Sequence, residues 1–141
     1  MKELRKISQE ELRGILKLHK LWLESEGKEG VQADLSYCDL TNADLKYADL
    51  RYCDLTNANL RYCGLKYADL FYAKVDSMVG LGNVGDENRT VYYFYKEDRI
   101  ICGSFDNTLE EFKKAVAKKY GEDYGSYAIA IEMFEKMKDK E

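Results

Sequence analysis

Residues 31–75 read VQADL, SYCDL, TNADL, KYADL, RYCDL, TNANL, RYCGL, KYADL, FYAKV, nine units of five in unbroken register. The last place of each unit holds Leu35, Leu40, Leu45, Leu50, Leu55, Leu60, Leu65, Leu70 and then Val75. Two places earlier every unit has a small residue, Ala or Cys, among them Cys38, Cys53 and Cys63. A fixed internal repeat decides the architecture before any other feature does.

A period of five fits neither regular element. On an α-helix, residues five apart are turned by about 140°, so the leucines would spiral around the axis. On a strand they would point alternately to opposite faces. All the leucines face inward only if the chain turns a corner once per unit. Four corners close a square of about twenty residues, and successive squares stack at a strand-like spacing of roughly 4.8 Å.

On these residues the segment resembles the pentapeptide-repeat proteins, with their A(D/N)LXX units. The resemblance implies a right-handed quadrilateral β-helix, with the Leu and the small residue facing inward and the other three positions facing solvent. Gly64 and Lys74 stand where Asp or Asn is usual, and Val75 replaces Leu, which places the end of the coil near residue 75. The expected fold is a mainly β solenoid of about two coils, with an N-terminal capping helix and a C-terminal β-hairpin plus two helices. Its expected parts are a helical cap over 1–30, the β-helix over 31–77, a loop over 78–90 and a hairpin–helix–helix domain over 91–141.

Two coils are too short to hold a core alone, and open ends would expose unpaired backbone. Both flanks read as caps. Ser8-Gln9-Glu10-Glu11 fits a capping box, followed by Leu12, Ile15, Leu16, His19, Trp22 and Leu23 at helical spacing and by Gly27 as a stop. DSMVGLGNVGDENRT (76–90) is glycine-rich and polar and reads as a loop. VYYFY (91–95) and RIICGSF (99–105) read as a hairpin around Lys96-Glu97-Asp98. Thr108 and Glu111 make a second capping box before a helix ending at Gly121, and Tyr127, Ala130, Ile131, Phe134 and Met137 mark a last helix. Short pentapeptide-repeat proteins with similar flanks look like those common in bacteriophage and prophage genomes.

The charge balance narrows the function classes. Against 22 Lys and Arg stand 26 Asp and Glu, a net charge of −4. A general nucleic-acid binder would show a basic excess, so direct nucleic-acid binding is not expected. No apolar run is long enough for a membrane span and no signal peptide is visible, so a cytoplasmic protein is expected. The four cysteines form no CxxC pair, which argues against zinc, and in that compartment disulfides are not expected. In the small inward place a reduced Cys acts as a small hydrophobe.

No phosphate-binding loop, dinucleotide fingerprint, HExxH or nucleophile elbow is present. The chain's one histidine, His19, lies in the capping helix and reads as a packing residue. The repeated Asp34, Asp39, Asp44, Asp49, Asp54 and Asp69 read as solvated turn residues rather than acid–base pairs. No enzyme, cofactor or metal is expected.

With twenty residues per coil, Tyr47 stacks over Tyr67, Tyr52 over Tyr72, Lys46 over Lys66 and Arg51 over Phe71. These rows are the candidate binding face, because Tyr and Arg are favoured at hot spots. The alternative is that the tyrosines only stack to hold neighbouring coils together, or lie beneath the terminal domain. The expected partner is a host protein, which a small phage-type protein of this kind would bind and inhibit in a counter-defence role. The resemblance also implies a second reading, a DNA-mimicking inhibitor of gyrase or topoisomerase. Against it stand the short solenoid, spanning about three base pairs at ~3.4 Å each, and its mixed charge. Over residues 31–77 that charge is seven acidic and five basic residues. A small-molecule or nucleotide binder is a third reading, and homo-oligomerisation through the tyrosine faces stays open.

Overall fold

The structure, a computed structural model, describes residues 3–85, 89–121 and 125–139. The chain divides into two compact units, Met1–Asp76 and Ser77–Glu141.

In the first unit the repeat stacks on itself at the spacing expected. Parallel bridges join Asp34 to Asp54, Asp39 to Asn59, Asp44 to Gly64, Asp49 to Asp69 and Asp54 to Lys74, each pair twenty residues apart. Backbone hydrogen bonds run up the same ladder, Leu50 N–H to the Asp69 carbonyl at 2.8 Å and Asp69 N–H back to the Ala48 carbonyl at 3.0 Å. Each rung is a bridge of one residue, so regular strands are almost absent from the repeat. All eight repeat leucines are 3% exposed or less. Cys38, Cys53 and Cys63 are buried free thiols, and burial pushes the Cys53 thiol up to about 12. Val75, at the frayed end of the register, is only half-buried.

The start of the stack is closed by the N-terminal flank. Strand β1 (Arg5–Lys6) pairs in parallel with β2 (Cys38–Asp39), adding a rung beneath the first coil. Helix α1 (Gln9–Glu24) follows, with Ser8 Oγ accepting from Glu11 N–H at 3.0 Å. The helix supplies side chains where a lower coil would supply backbone. The Gln9 carboxamide copies a peptide group, donating to the Asp44 carbonyl and accepting from Asp44 N–H, both at 3.1 Å. His19 is fully buried, accepts from Ala33 N–H through Nδ1 at 2.9 Å and donates from Nε2 to the Arg51 carbonyl at 2.8 Å. These contacts satisfy backbone groups that an open coil end would leave orphaned. Leaving α1, the chain reverses through Glu26 and Gly27, both at positive φ. It passes Gly30, where an added Cβ would clash with the Leu18 carbonyl.

The second unit departs from the expected hairpin. It is a four-stranded antiparallel sheet in the order β3 (Met78–Val84), β4 (Arg89–Phe94), β5 (Arg99–Cys102), β6 (Phe105–Asn107). The loop expected over 78–90 is therefore largely strand, with 86–88 outside the described residues. Glycine misled that reading. Gly80 pairs with Tyr92, and a Cβ there would lie 3.1 Å from the Tyr92 ring, so the glycine makes room for an aromatic rather than a turn. The run 99–105 is likewise two strands, because Gly103 at φ 57° turns the chain between Cys102 and Phe105.

Helices α2 (Leu109–Tyr120) and α3 (Ser126–Asp139) complete this unit. Thr108 Oγ1 caps α2 by accepting from Glu111 N–H at 3.2 Å, while its own N–H goes to Asn107 Oδ1 at 2.8 Å. Val91, Tyr93, Ile100, Phe112, Val116, Ala130 and Phe134 form the core between sheet and helices. The strand alternation puts Tyr92, Phe94 and Ile101 on the opposite face, where they are also buried.

Candidate functional site

Each repeat corner is a four-residue turn. The Leu carbonyl accepts from the N–H of the next small residue, as from Leu45 to Ala48 at 3.1 Å and from Leu50 to Cys53 at 3.0 Å. The residue just before that small one is left-handed in every described corner. Tyr37, Asn42, Tyr47, Tyr52, Asn57, Tyr62, Tyr67 and Tyr72 all have φ between 56° and 65°. Positive φ at the third turn residue is the type II pattern, which favours Gly or Asn there. Asn42 and Asn57 obey that preference and the six tyrosines do not. The Asn residues in register with tyrosines were the sequence signal for this strained backbone, which solvent exposure alone does not reveal.

The turn is completed by the acidic place. Oδ1 of Asp34, Asp39, Asp44, Asp49, Asp54, Asn59 and Asp69 each accepts from the backbone N–H two residues on, at 3.0 to 3.3 Å. These are Asx turns, which is why Asp and Asn recur. For Asp39, the hydrogen bonds from Thr41 hold its carboxyl below the usual range. Stacking carboxylates at one place every twenty residues sets like charges opposite one another. Three of the five bridged pairs avoid this, with Asn59 opposite Asp39, Gly64 opposite Asp44 and Lys74 opposite Asp54, while Asp54 faces Asp34 and Asp69 faces Asp49. Asp69 opposite Asp49 is answered by Arg51. Its guanidinium grips Asp49 at 2.8 and 2.7 Å and lies 3.8 Å from Asp69. Those hydrogen bonds hold the Asp49 carboxyl below its ordinary range against partial burial and raise Arg51 further above its own.

The structure brings the expected tyrosines together. Tyr47 and Tyr67 stack with centroids 5.0 Å apart and planes at 6°, and Tyr52 and Tyr72 with 5.1 Å and 15°. All four remain exposed, Tyr47 at 75% and Tyr67 at 46%. Phe71 and Tyr72 meet edge to face with centroids 4.3 Å apart, and the Arg51 guanidinium is held by the carboxylates. Lys46 and Lys66 are exposed, and the Lys46 stem runs past Gly64. The corner Arg61–Tyr62 lay outside the expected face, yet Tyr62 is 80% exposed, more than any of its stacked counterparts.

Elsewhere, a shallow polar cleft on the second unit is lined by Leu109, Glu110, Lys113, Glu135 and Lys138, with Lys113 and Glu135 paired at 2.7 Å. No helix among the described residues is long and apolar enough to cross a membrane.

No curated protein and no solved structure matches the chain. Residues 38–71, inside the register set out above, match the family described as pentapeptide repeats, in eight copies. With rungs at twenty residues and buried leucines across the matched segment, residues 38–71 are a pentapeptide-repeat segment.

Proposed function

We propose that the chain is a non-enzymatic binding protein that engages a protein partner through the outward Tyr, Lys and Arg corners of a right-handed, four-sided β-helix. The observation that carries this reading is the pair of tyrosine stacks, 47/67 and 52/72, exposed on left-handed corners. Tyrosine is an unfavourable residue for such a corner and a favourable one for an interface. Corners fixed by turn, Asx and ladder hydrogen bonds present their side chains with little ordering cost on binding. Cytoplasmic action against a host macromolecule, in the manner of a phage-type inhibitor, extends the same reading and draws on the flanks' resemblance to such proteins. The DNA-mimic alternative is weakened by Asn59, Gly64 and Lys74, which interrupt the acidic columns that a duplex mimic needs.

The test is capture of a partner from host lysate by the tagged protein, compared with a variant carrying Tyr47→Asn, Tyr52→Asn, Tyr67→Asn and Tyr72→Asn. Asn is native to this corner, so folding is kept. A partner held by the wild type and lost by the variant supports the reading. Equal capture by both removes the tyrosine face from it.

A further inference from the structure

The stretch between Tyr62 and Tyr67 differs from the other faces in what it lacks. Gly64 holds the outward place that Asp or Asn fills in most units. A Cβ built there would lie 3.4 Å from Lys46 Cγ and 3.7 Å from Asp44 Oδ1, so the place points outward and the Lys46 stem crosses bare backbone. Arg61 and Tyr62 stand before this floor, and Lys66 and Tyr67 after it. Arg61, Lys46 and Lys66 are exposed, and among the described residues none of them has an ion-pair partner. Between these two corners the outward place carries one carboxylate, Asp44, opposite Gly64, on a chain whose net charge is −4.

Tyr62 sharpens the case. Its φ is 61°, it is 80% exposed, and twenty residues before it is Asn42, which offers no ring to stack on. A left-handed tyrosine is strained relative to Asn. Neither stacking nor burial offsets that strain here, so fold stability gives no reason for Tyr at this corner.

We infer that the Gly64 face is a docking surface for an extended, acidic segment of a protein partner. It rests on the reading that the solenoid corners bind a protein, and it names the chemistry of that partner. Carboxylates of the segment meet Arg61, Lys46 and Lys66, and Tyr62 and Tyr67 flank it. The Lys46 stem lies across Gly64, and the absence of an Asp there keeps a second carboxylate off this face. Charge complementarity selects an acidic partner. Nucleic acid fits less well, because the stack of Tyr47 on Tyr67 takes up one face of each ring that a base would need.

The test titrates the full chain with a fluorescein-labelled peptide of alternating Glu and Thr. A Lys–Thr peptide and single-stranded oligothymidine serve as comparisons. Gly64→Asp installs the residue usual at this place, and Gly64→Asn installs the same shape without charge. The room is sufficient and the backbone is not left-handed, so both variants fold, which circular dichroism checks. The acidic peptide binds wild type, loses about tenfold or more in affinity with Gly64→Asp and under about threefold with Gly64→Asn. Absence of acidic-peptide binding, equal effects of the two substitutions, or tighter binding of oligothymidine overturns the inference. If Gly64→Asp captures the lysate partner as well as wild type does while the tyrosine variant loses it, this inference falls and the tyrosine reading stands.

Discussion

His19 of the capping helix donates its Nε2–H to the carbonyl of Arg51 at 2.8 Å, across 32 positions of sequence. The proton belongs on Nε2 because Nδ1 accepts from Ala33 N–H. One imidazole thus takes the place of two backbone groups of an absent lower coil.

Replacing His19 by Ala leaves a buried donor and a buried acceptor without partners, each costing about 1–3 kcal/mol. His19→Ala therefore lowers unfolding stability by roughly 3 kcal/mol, read by urea denaturation. A loss below about 1 kcal/mol would show that the imidazole merely fills space.

The Arg51–Asp49 pair sets an acid dependence. The folded-state value of Asp49 is depressed, so its contribution is present above the unfolded value of about 3.9 and is lost as pH falls through the folded value. Wild type accordingly loses stability as pH drops below about 4. Arg51→Ala costs about 1 kcal/mol or less at pH 7, because the pair is partly exposed, and it shallows the acid limb. Parallel acid limbs in the two proteins would remove Asp49 from the account.

Leu50 is fully buried in the stack. Leu50→Ala removes its methyl groups without refilling the space and costs about 2–5 kcal/mol. Guanidinium denaturation measures it, and a change below about 1 kcal/mol would mean that this position is not core.

Most of the first unit was legible because its signal is periodic. The leucine register dictated which residues turn inward, and twenty-residue stacking paired Tyr47 with Tyr67 and Tyr52 with Tyr72 correctly. The acidic place was readable as Asx turns for the same reason. Position 64 was legible only as a departure, since its meaning depends on Lys46 and Asp44 one coil below. The left-handed corner was hidden behind tyrosines, whose exposure drew the eye from the Asn residues sharing their register. The second unit misled where glycine did an unusual job. At Gly80 it clears space for Tyr92, which composition does not distinguish from a loop glycine. The dual role of His19 depends on a contact between the helix and two distant backbone groups, and no local pattern encodes it.

The most direct measurement is the unfolding free energy of the variant carrying Tyr47→Asn, Tyr52→Asn, Tyr67→Asn and Tyr72→Asn. Two lost stacks cost about 0.5–1.5 kcal/mol each. Asn adopts the left-handed region more readily than Tyr, so part of the strain at the four corners is relieved and offsets that loss. The account predicts stability within about 1 kcal/mol of wild type, with the tyrosines kept for binding. A loss above about 3 kcal/mol would contradict it and make the tyrosine stacks structural supports of the coil.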